Sequence, residues 1–254
     1  MKVVFLGVGE ACDEILPNTC VWLRTDTSGS PRSVLFDCGF TAPSLYWQRG
    51  VDQEELDALW ISHFHGDHYF GVPALLVRFW EMRREKPFII VGQEGVGDLV
   101  TKAMNLAYPS ILGKKTHPLE FVDAVPGKSL EFLGLRWSFA ENGHGQRDLA
   151  VRVSDGRKTI FYSGDGAPTE ETLTLARGCD LVIHEAFRLD ENAPGHGTVR
   201  TCLNFAREAG VPLLALVHMQ RDERRNRRSE VLRLLDEAAG VHAFLPEPGH
   251  ELDL

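Results

Sequence analysis

Ser62-His63-Phe64-His65-Gly66-Asp67-His68 crowds three imidazoles and a carboxylate into six consecutive positions, at the end of a short strand predicted over 59–62. Polar groups this dense are costly to hold together unless something positive binds them. Imidazole and carboxylate are borderline-to-hard donors that suit Zn, Mn or Fe. On a loop leaving a strand, His63 and His65 can face one metal while Asp67 and His68 turn to a second. A strand end feeding a metal loop therefore fixes one corner of the fold.

The rest of the chain alternates short strands with helices. Runs at 3–6, 19–24 and 34–37 read as strands between Gly, Pro, Asn and Ser turns. Val72, Leu75, Leu76, Phe79 and Trp80 give helical spacing over 71–86, which stops at Pro87. A buried strand at 88–91 and a helix at 95–107 follow. Strands are predicted at 130–132, 135–140, 149–153 and 158–163, the last two joined at Asp155-Gly156, a pair that tolerates positive φ in a hairpin. A helix at 169–177, capped by Thr169, leads to strand 180–185, helix 198–209, strand 213–217, helix 229–239 and strand 241–245. Two β-rich halves with helices between them suggest two packed sheets covered by helices. No linker, charge block or repeat interrupts 1–254, which reads as one domain.

At 254 residues the chain can bury a core without disulfides. With 43% hydrophobic and 25% charged residues, its composition excludes disorder, collagen and coiled coil. No apolar run reaches the ~18 residues of a membrane span, and the opening MKVVFLGVGEACDE reads as a first strand rather than a signal peptide. A net charge of −9 repels phosphate backbones, which disfavours nucleic-acid partners. Cys12, Cys20, Cys38, Cys179 and Cys202 are scattered, odd in number and without a CxxC pair. They read as reduced thiols of a cytoplasmic protein.

The HxHxDH pattern is the signature of the metallo-β-lactamase superfamily, and the chain resembles that family further along. Asn142-Gly143-His144 places a His after a strand, Ser163-Gly164-Asp165 an Asp at a strand end, and Leu216-Val217-His218 a His at the end of a late strand. The resemblance implies an α/β fold, a four-layer αββα sandwich, with two divalent metal ions; Zn is the first choice, and Mn and Fe also fit. It implies His63, His65 and His144 on one metal, Asp67, His68 and His218 on the other, and Asp165 bridging both.

Within the superfamily the chain is similar to the ribonuclease Z branch. The residues that carry this are Phe5-Leu6-Gly7, Leu35-Phe36-Asp37-Cys38-Gly39, His65-Gly66-Asp67-His68 with Phe70-Gly71 and Pro73, and His184-Glu185-Ala186 followed by His196-Gly197-Thr198. That branch also holds cyclic-phosphate phosphodiesterases, including the enzyme of phosphonate breakdown, and proteins known as arylsulfatases. By this resemblance His196 contacts a phosphoryl oxygen and protonates the leaving alkoxide. Glu185 fixes that imidazole in one tautomer, and Asp67 orients the nucleophilic hydroxide or takes its proton.

The chain departs from the processing enzyme in two places. In ribonuclease Z a Gly/Pro-rich arm that grips the tRNA elbow lies between the third His and the bridging Asp. Here His144 and Asp165 are only 21 residues apart, and the hairpin over 149–163 takes up that interval. Met219-Gln220-Arg221 follow His218 in place of the usual Ser-containing turn. No extra cysteine-rich zinc site of the phosphonate-pathway kind is visible. The expected function is hydrolysis of small or cyclic phosphodiesters by a hydroxide bridging two metals. The alternatives are a sulfate-ester or other ester hydrolase, a ribonuclease Z-type tRNA 3′-end endonuclease, and a non-enzymatic metal-binding module, the last opposed by the complete ligand set. The expected partner is a small-molecule substrate, with no membrane; a homodimer is allowed.

Other residues carry weaker signals. Asp37 is expected to hydrogen-bond a ligand His or its loop, or else to cap a turn. His184 should face away from the site in a structural role, and His117 and His242 read as ordinary. His250 reads as structural or as a residue of the site rim. Phe79, Trp80 and Met82 read as helix core rather than as a substrate wall. Arg221, Arg224, Arg225, Arg227 and Arg228 read either as a solvated helix start with Asp222 and Glu223, or as a phosphate patch, because Arg forks match phosphate oxygens.

Overall fold

Alternation along the first strand sets the layers. On β1 (Lys2–Gly7) Val3 and Phe5 face one core while Val4 and Leu6 face another, and all four are buried. The computed structural model describes residues 1–27, 29–52, 54–190 and 193–254. One seven-stranded sheet joins β1 to β2 (Cys20–Thr27), β3 (Ser30–Phe36), β4 (Ala58–Ile61), β5 (Phe88–Gln93) and β6 (Leu119–Ala124), with β14 (Glu251–Asp253) on the free side of β1. The second, also of seven strands, runs β7 (Ser129–Phe132), β8 (Leu135–Glu141), β9 (Leu149–Ser154), β10 (Thr159–Tyr162), β11 (Leu181–Glu185), β12 (Leu213–Val217) and β13 (His242–Phe244).

The inner faces pack on one another through aromatic contacts. Trp60 stacks on Phe139 at 5.3 Å, and Phe36 lies 6.4 Å from Trp137. The outer face of the first sheet is covered by α1 (Ala42–Gln48), α3 (Val72–Glu81) and α4 (Val96–Ala107), through Tyr46, Leu75, Phe79 and Val100. On the second sheet, α5 (Glu170–Ala176), α6 (Val199–Ala209) and α8 (Arg228–Asp236) bring Ala176, Phe205 and Val231 against Val182 and Leu216. The order is helix, sheet, sheet, helix, as expected. Among the described residues, no helix is long and apolar enough to cross a membrane.

Some boundaries differ from the sequence reading. The helix expected over 71–86 stops at Glu81, after which Arg83 turns left-handed (φ 55°). Arg84 then turns inward and its guanidinium donates to the carbonyls of Leu56, Lys86 and Pro87. The Pro87 ring disfavours helix at the residue before it, and the burial of Arg84 moves the break earlier still. Phe79 is buried core, as expected, whereas Trp80 and Met82 are only half-buried. The 221–228 stretch forms a short helix of its own, α7 (Arg221–Asn226), ahead of α8.

Candidate metal centre

Strand direction gathers the polar residues. β8 and β10 both run antiparallel to β9, and β11 and β12 run parallel to β10. Their C-terminal ends therefore share one edge, and there the chain places His144, Asp165, Glu185 and His218. β3 and β4 are parallel and deliver Asp37 and residues 63–68 from the other sheet. His65 is extended (φ −80°, ψ 146°), and the single turn α2 (Gly66–Tyr69) then redirects Asp67 and His68.

Asp37 and His218 both hold left-handed backbone, at φ 61° and 55°. For residues other than glycine this costs about 1–2 kcal/mol each, and it marks the strand ends as built for a purpose. Four donors hold the Asp37 carboxylate: the Ser62 N–H (2.8 Å), the Ser62 hydroxyl (2.9 Å), the Tyr162 hydroxyl (2.6 Å) and His68 Nδ1 (2.8 Å). The expectation that Asp37 supports a histidine of this loop is met at His68.

The seven residues form two donor groups that share Asp165. In the first, His63 Nε2 lies 2.9 Å from His65 Nδ1, His144 Nε2 lies 3.3 Å from His65 Nδ1, and Asp165 Oδ2 is 3.9 Å from His63 Nε2. In the second, Asp165 Oδ2 is 3.4 Å from His68 Nε2 and 3.3 Å from His218 Nε2. Asp67 Oδ2 is 3.2 Å and 3.1 Å from the same two nitrogens. All are buried except His65, which is exposed, and His144, which is half-buried.

The outer partners decide what these atoms present. His63 Nδ1 donates to Asp148 (2.8 Å), His144 Nδ1 to the Gly195 carbonyl (2.7 Å) and His68 Nδ1 to Asp37. Each acceptor offers only lone pairs, so the proton sits on Nδ1 and the bare Nε2 points inward. His68 Nε2 and Asp165 Oδ1 are buried with no hydrogen-bond partner. Converging buried lone pairs are unfavourable by themselves, and a divalent cation satisfies them.

The electrostatics agree. Burial works to raise the Asp67 carboxyl, yet His218 and His68 hold it far below the usual carboxylate range. Burial would lower the His218 imidazole, but the Asp165 carboxylate overrides this and lifts it to about 9. The carboxylates demand positive charge, and without a metal only protons can supply it.

His196 stands beside this cluster. Its ring stacks on Phe187 (4.5 Å) and meets His144 edge-on at 4.9 Å. Nδ1 lies 3.3 Å from Glu185 Oε1, off the line of a formal hydrogen bond. Burial would lower this imidazole, but the Glu185 carboxylate outweighs it and raises it. Glu185 Oε1 is itself fixed by the Gly166 and Gly197 N–H groups (2.9 and 2.7 Å). Gly197 has to be glycine, because a Cβ there would sit 2.9 Å from the Glu185 carbonyl.

The weaker signals resolve as well. His184 donates to the Glu185 carbonyl (2.8 Å) between Phe161 and Phe205, where burial pulls it down to about 4. His250 packs on Phe5 and Phe244, and His117 on Phe79. The arginines pair with acids: Arg221 with Glu10, Arg224 and Arg228 with Glu247, Arg225 with Glu14, Arg227 with Asp190. All five are thus ion-paired, across α7 and the start of α8, rather than presented as bare cations.

Asp148 escaped the sequence reading. Besides His63, it accepts the Asp165 N–H at 2.9 Å, so one carboxylate aligns members of both strand ends. Nothing local marks it; it is a single Asp before a strand. Asp148→Ala is expected to keep the fold and weaken metal retention about 10–100-fold, read by competition with a chelator. Wild-type retention would show that His63 needs no such support.

Comparison with known proteins agrees with this geometry. The family model described as "Beta-lactamase superfamily domain" matches residues 32–219. Ribonuclease BN of Escherichia coli is 27% identical, over 86% of this chain and 89% of that protein. The metallo-β-lactamase fold protein YhfI of Bacillus subtilis superposes with a TM-score of 0.80 at 22% identity, covering 99% of this chain and 98% of the other. The short form of human tRNase Z gives 0.79 at 21% identity, over 100% and 99%. A diphosphatase from the PhnP family gives 0.74 at 15% identity, over 100% and 97%. The matched span takes in the HxHxDH loop and every strand end that feeds the donor cluster, so the chain belongs to the metallo-β-lactamase superfamily, as a ribonuclease Z-like, metal-dependent hydrolase.

Proposed function

We propose that the protein is a dinuclear phosphodiesterase of the cytoplasm, acting on small or cyclic phosphodiesters, with zinc as its first-choice metal. The observation that carries this reading is the pair of donor groups joined through Asp165. His63, His65 and His144 would hold one ion, Asp67, His68 and His218 the other, and Asp165 both. When bound, two divalent ions acidify a water and neutralise the oxygens of an in-line displacement at phosphorus.

The chain's own residues do the rest. Asp67 offers a second oxygen to the attacking water, orienting it or taking its proton. His196 lies outside both donor groups and next to His144, placed to give a proton to the departing oxygen. Glu185 keeps the His196 proton in position, and two backbone N–H groups keep Glu185 in position.

Substrate size follows from what surrounds the centre. The 21 residues from His144 to Asp165 hold β9 and β10 and leave no length for an RNA-gripping arm. The match to ribonuclease BN spans 277 aligned positions, more than the 254 residues of this chain, so that protein carries residues this chain lacks. The arginines near His218 are already paired, and the net charge is −9. Remote binding energy positions the scissile bond of a large substrate, and these features supply little of it for RNA.

Likeness to ribonuclease BN and to the short form of human tRNase Z makes pre-tRNA the second reading. Bis-p-nitrophenyl phosphate, cyclic nucleotides, an aryl sulfate and a pre-tRNA, assayed side by side at matched metal and salt, decide between them. Turnover of a small diester with no useful cut of the pre-tRNA is expected. Efficient, position-specific cleavage at the tRNA 3′ side would move the nuclease to first place.

A further inference from the structure

Beside His196 the surface opens into a cleft of about 680 Å³, with Leu173, Ala193, Pro194 and Phe205 as its apolar lining and Thr201 and Asn204 as polar lining. None of the seven metal-ligand candidates lines it, but His196 does. The imidazole thus meets the His144 ring at 4.9 Å and also borders the cleft. Its Nδ1 is turned to Glu185, which leaves Nε2 as the edge that can meet a departing oxygen. Apart from the His196 imidazole, the charge of the cleft is one-sided. Its described lining residues include the carboxylates Glu170, Asp190 and Glu208 and no Lys or Arg. Asp190 is engaged by Arg200 and Arg227, so the field comes mainly from Glu170 and Glu208, both exposed.

We infer that this cleft receives the alcohol released on hydrolysis, and that it selects an uncharged or cationic, partly apolar alcohol over one that carries phosphate or carboxylate. The inference rests on the phosphodiesterase reading above. In the step, water gives its oxygen to phosphorus. The P–O bond to the alcohol breaks with both electrons staying on the departing oxygen, and a proton from His196 completes the hydroxyl. The proton lost by the water restores the balance, so a monoester and a free alcohol leave. The apolar lining takes the carbon skeleton. Glu170 and Glu208 repel an anion and attract a cation, an effect that salt weakens.

The test uses three methyl aryl phosphates whose departing ring carries a trimethylammonium, a carboxamide or a carboxylate group, each rate referred to the uncatalysed hydrolysis of the same ester. We expect kcat/KM to fall in that order, by about tenfold from first to last at low salt. The double variant Glu170→Lys, Glu208→Lys should level or invert the order. Equal values across the three esters, or an unchanged order in the double variant, would overturn the inference. If the wild-type protein turns over none of them, nor any of the diesters named above, the phosphodiesterase reading fails, and the charge preference of the cleft is judged by binding alone. Amide shift changes at Thr201 and Asn204 on adding the trimethylammonio-phenol, and not the carboxyphenol, would then support it. Their absence would overturn it.

Discussion

Asp165→Ala is expected to strip the protein of more metal than any other single substitution and to cut diester hydrolysis by well over 100-fold. Its Oδ2 atom lies within 3.9 Å of His63 Nε2, His68 Nε2 and His218 Nε2, and Asp165 is the residue common to both donor groups. Its second oxygen is buried without a hydrogen-bond partner among the described residues, a position that a cation would satisfy. Losing an outer partner of a metal site commonly costs 10–100-fold in affinity or activity, and losing the shared donor itself should exceed that. The wild-type protein should carry close to two divalent ions per chain by elemental analysis, and the variant fewer than one after metal supplementation. A wild-type protein holding one ion or none would sink the dinuclear reading. A variant that kept both would remove Asp165 from its bridging role.

The centre was legible where its signal is local. Six adjacent positions bring His63, His65, Asp67 and His68 together, and no knowledge of the fold is needed to suspect a metal. His144, Asp165 and His218 are single residues, each unremarkable alone; their order along the chain, and the resemblance it carries, gathered them. Asp148 had neither aid, because its bond to His63 spans a contact that only the packed sheets create. The same distinction holds for the fold. Strands buried on both faces, such as β4 and the Leu181–Ile183 part of β11, read as continuous apolar runs. The edge strand β6, with Glu120 and Phe121 exposed, and the three-residue β14, which exists by pairing with β1, gave no comparable pattern. The arginine run shows the limit from the other side. Composition allowed a phosphate patch, and the acids that pair with it lie outside the run, Glu10 and Glu14 near the opposite end of the chain and Glu247 just beyond the next strand.

His196→Ala is expected to keep its metals and lose about 10²- to 10⁴-fold in rate, the usual worth of a positioned acid. His196 belongs to neither donor group, its Nδ1 is turned toward Glu185, and its ring only meets His144 edge-on. Removing it therefore leaves the cation-facing atoms in place. The loss should depend on the alcohol that departs. An alkoxide needs a proton as the P–O bond breaks, whereas p-nitrophenolate leaves without one, so the variant should be crippled on an alkyl diester and far less impaired on a p-nitrophenyl one. Glu185→Gln should show the same leaving-group dependence in weaker form, since Glu185 acts through His196. Three measurements decide the matter: metal content, and the rates on an alkyl and on a p-nitrophenyl diester. Metal loss in His196→Ala would make His196 a ligand. Unchanged rates on both esters would make it structural. An equal fall on both would mean that it positions the substrate rather than supplying the proton.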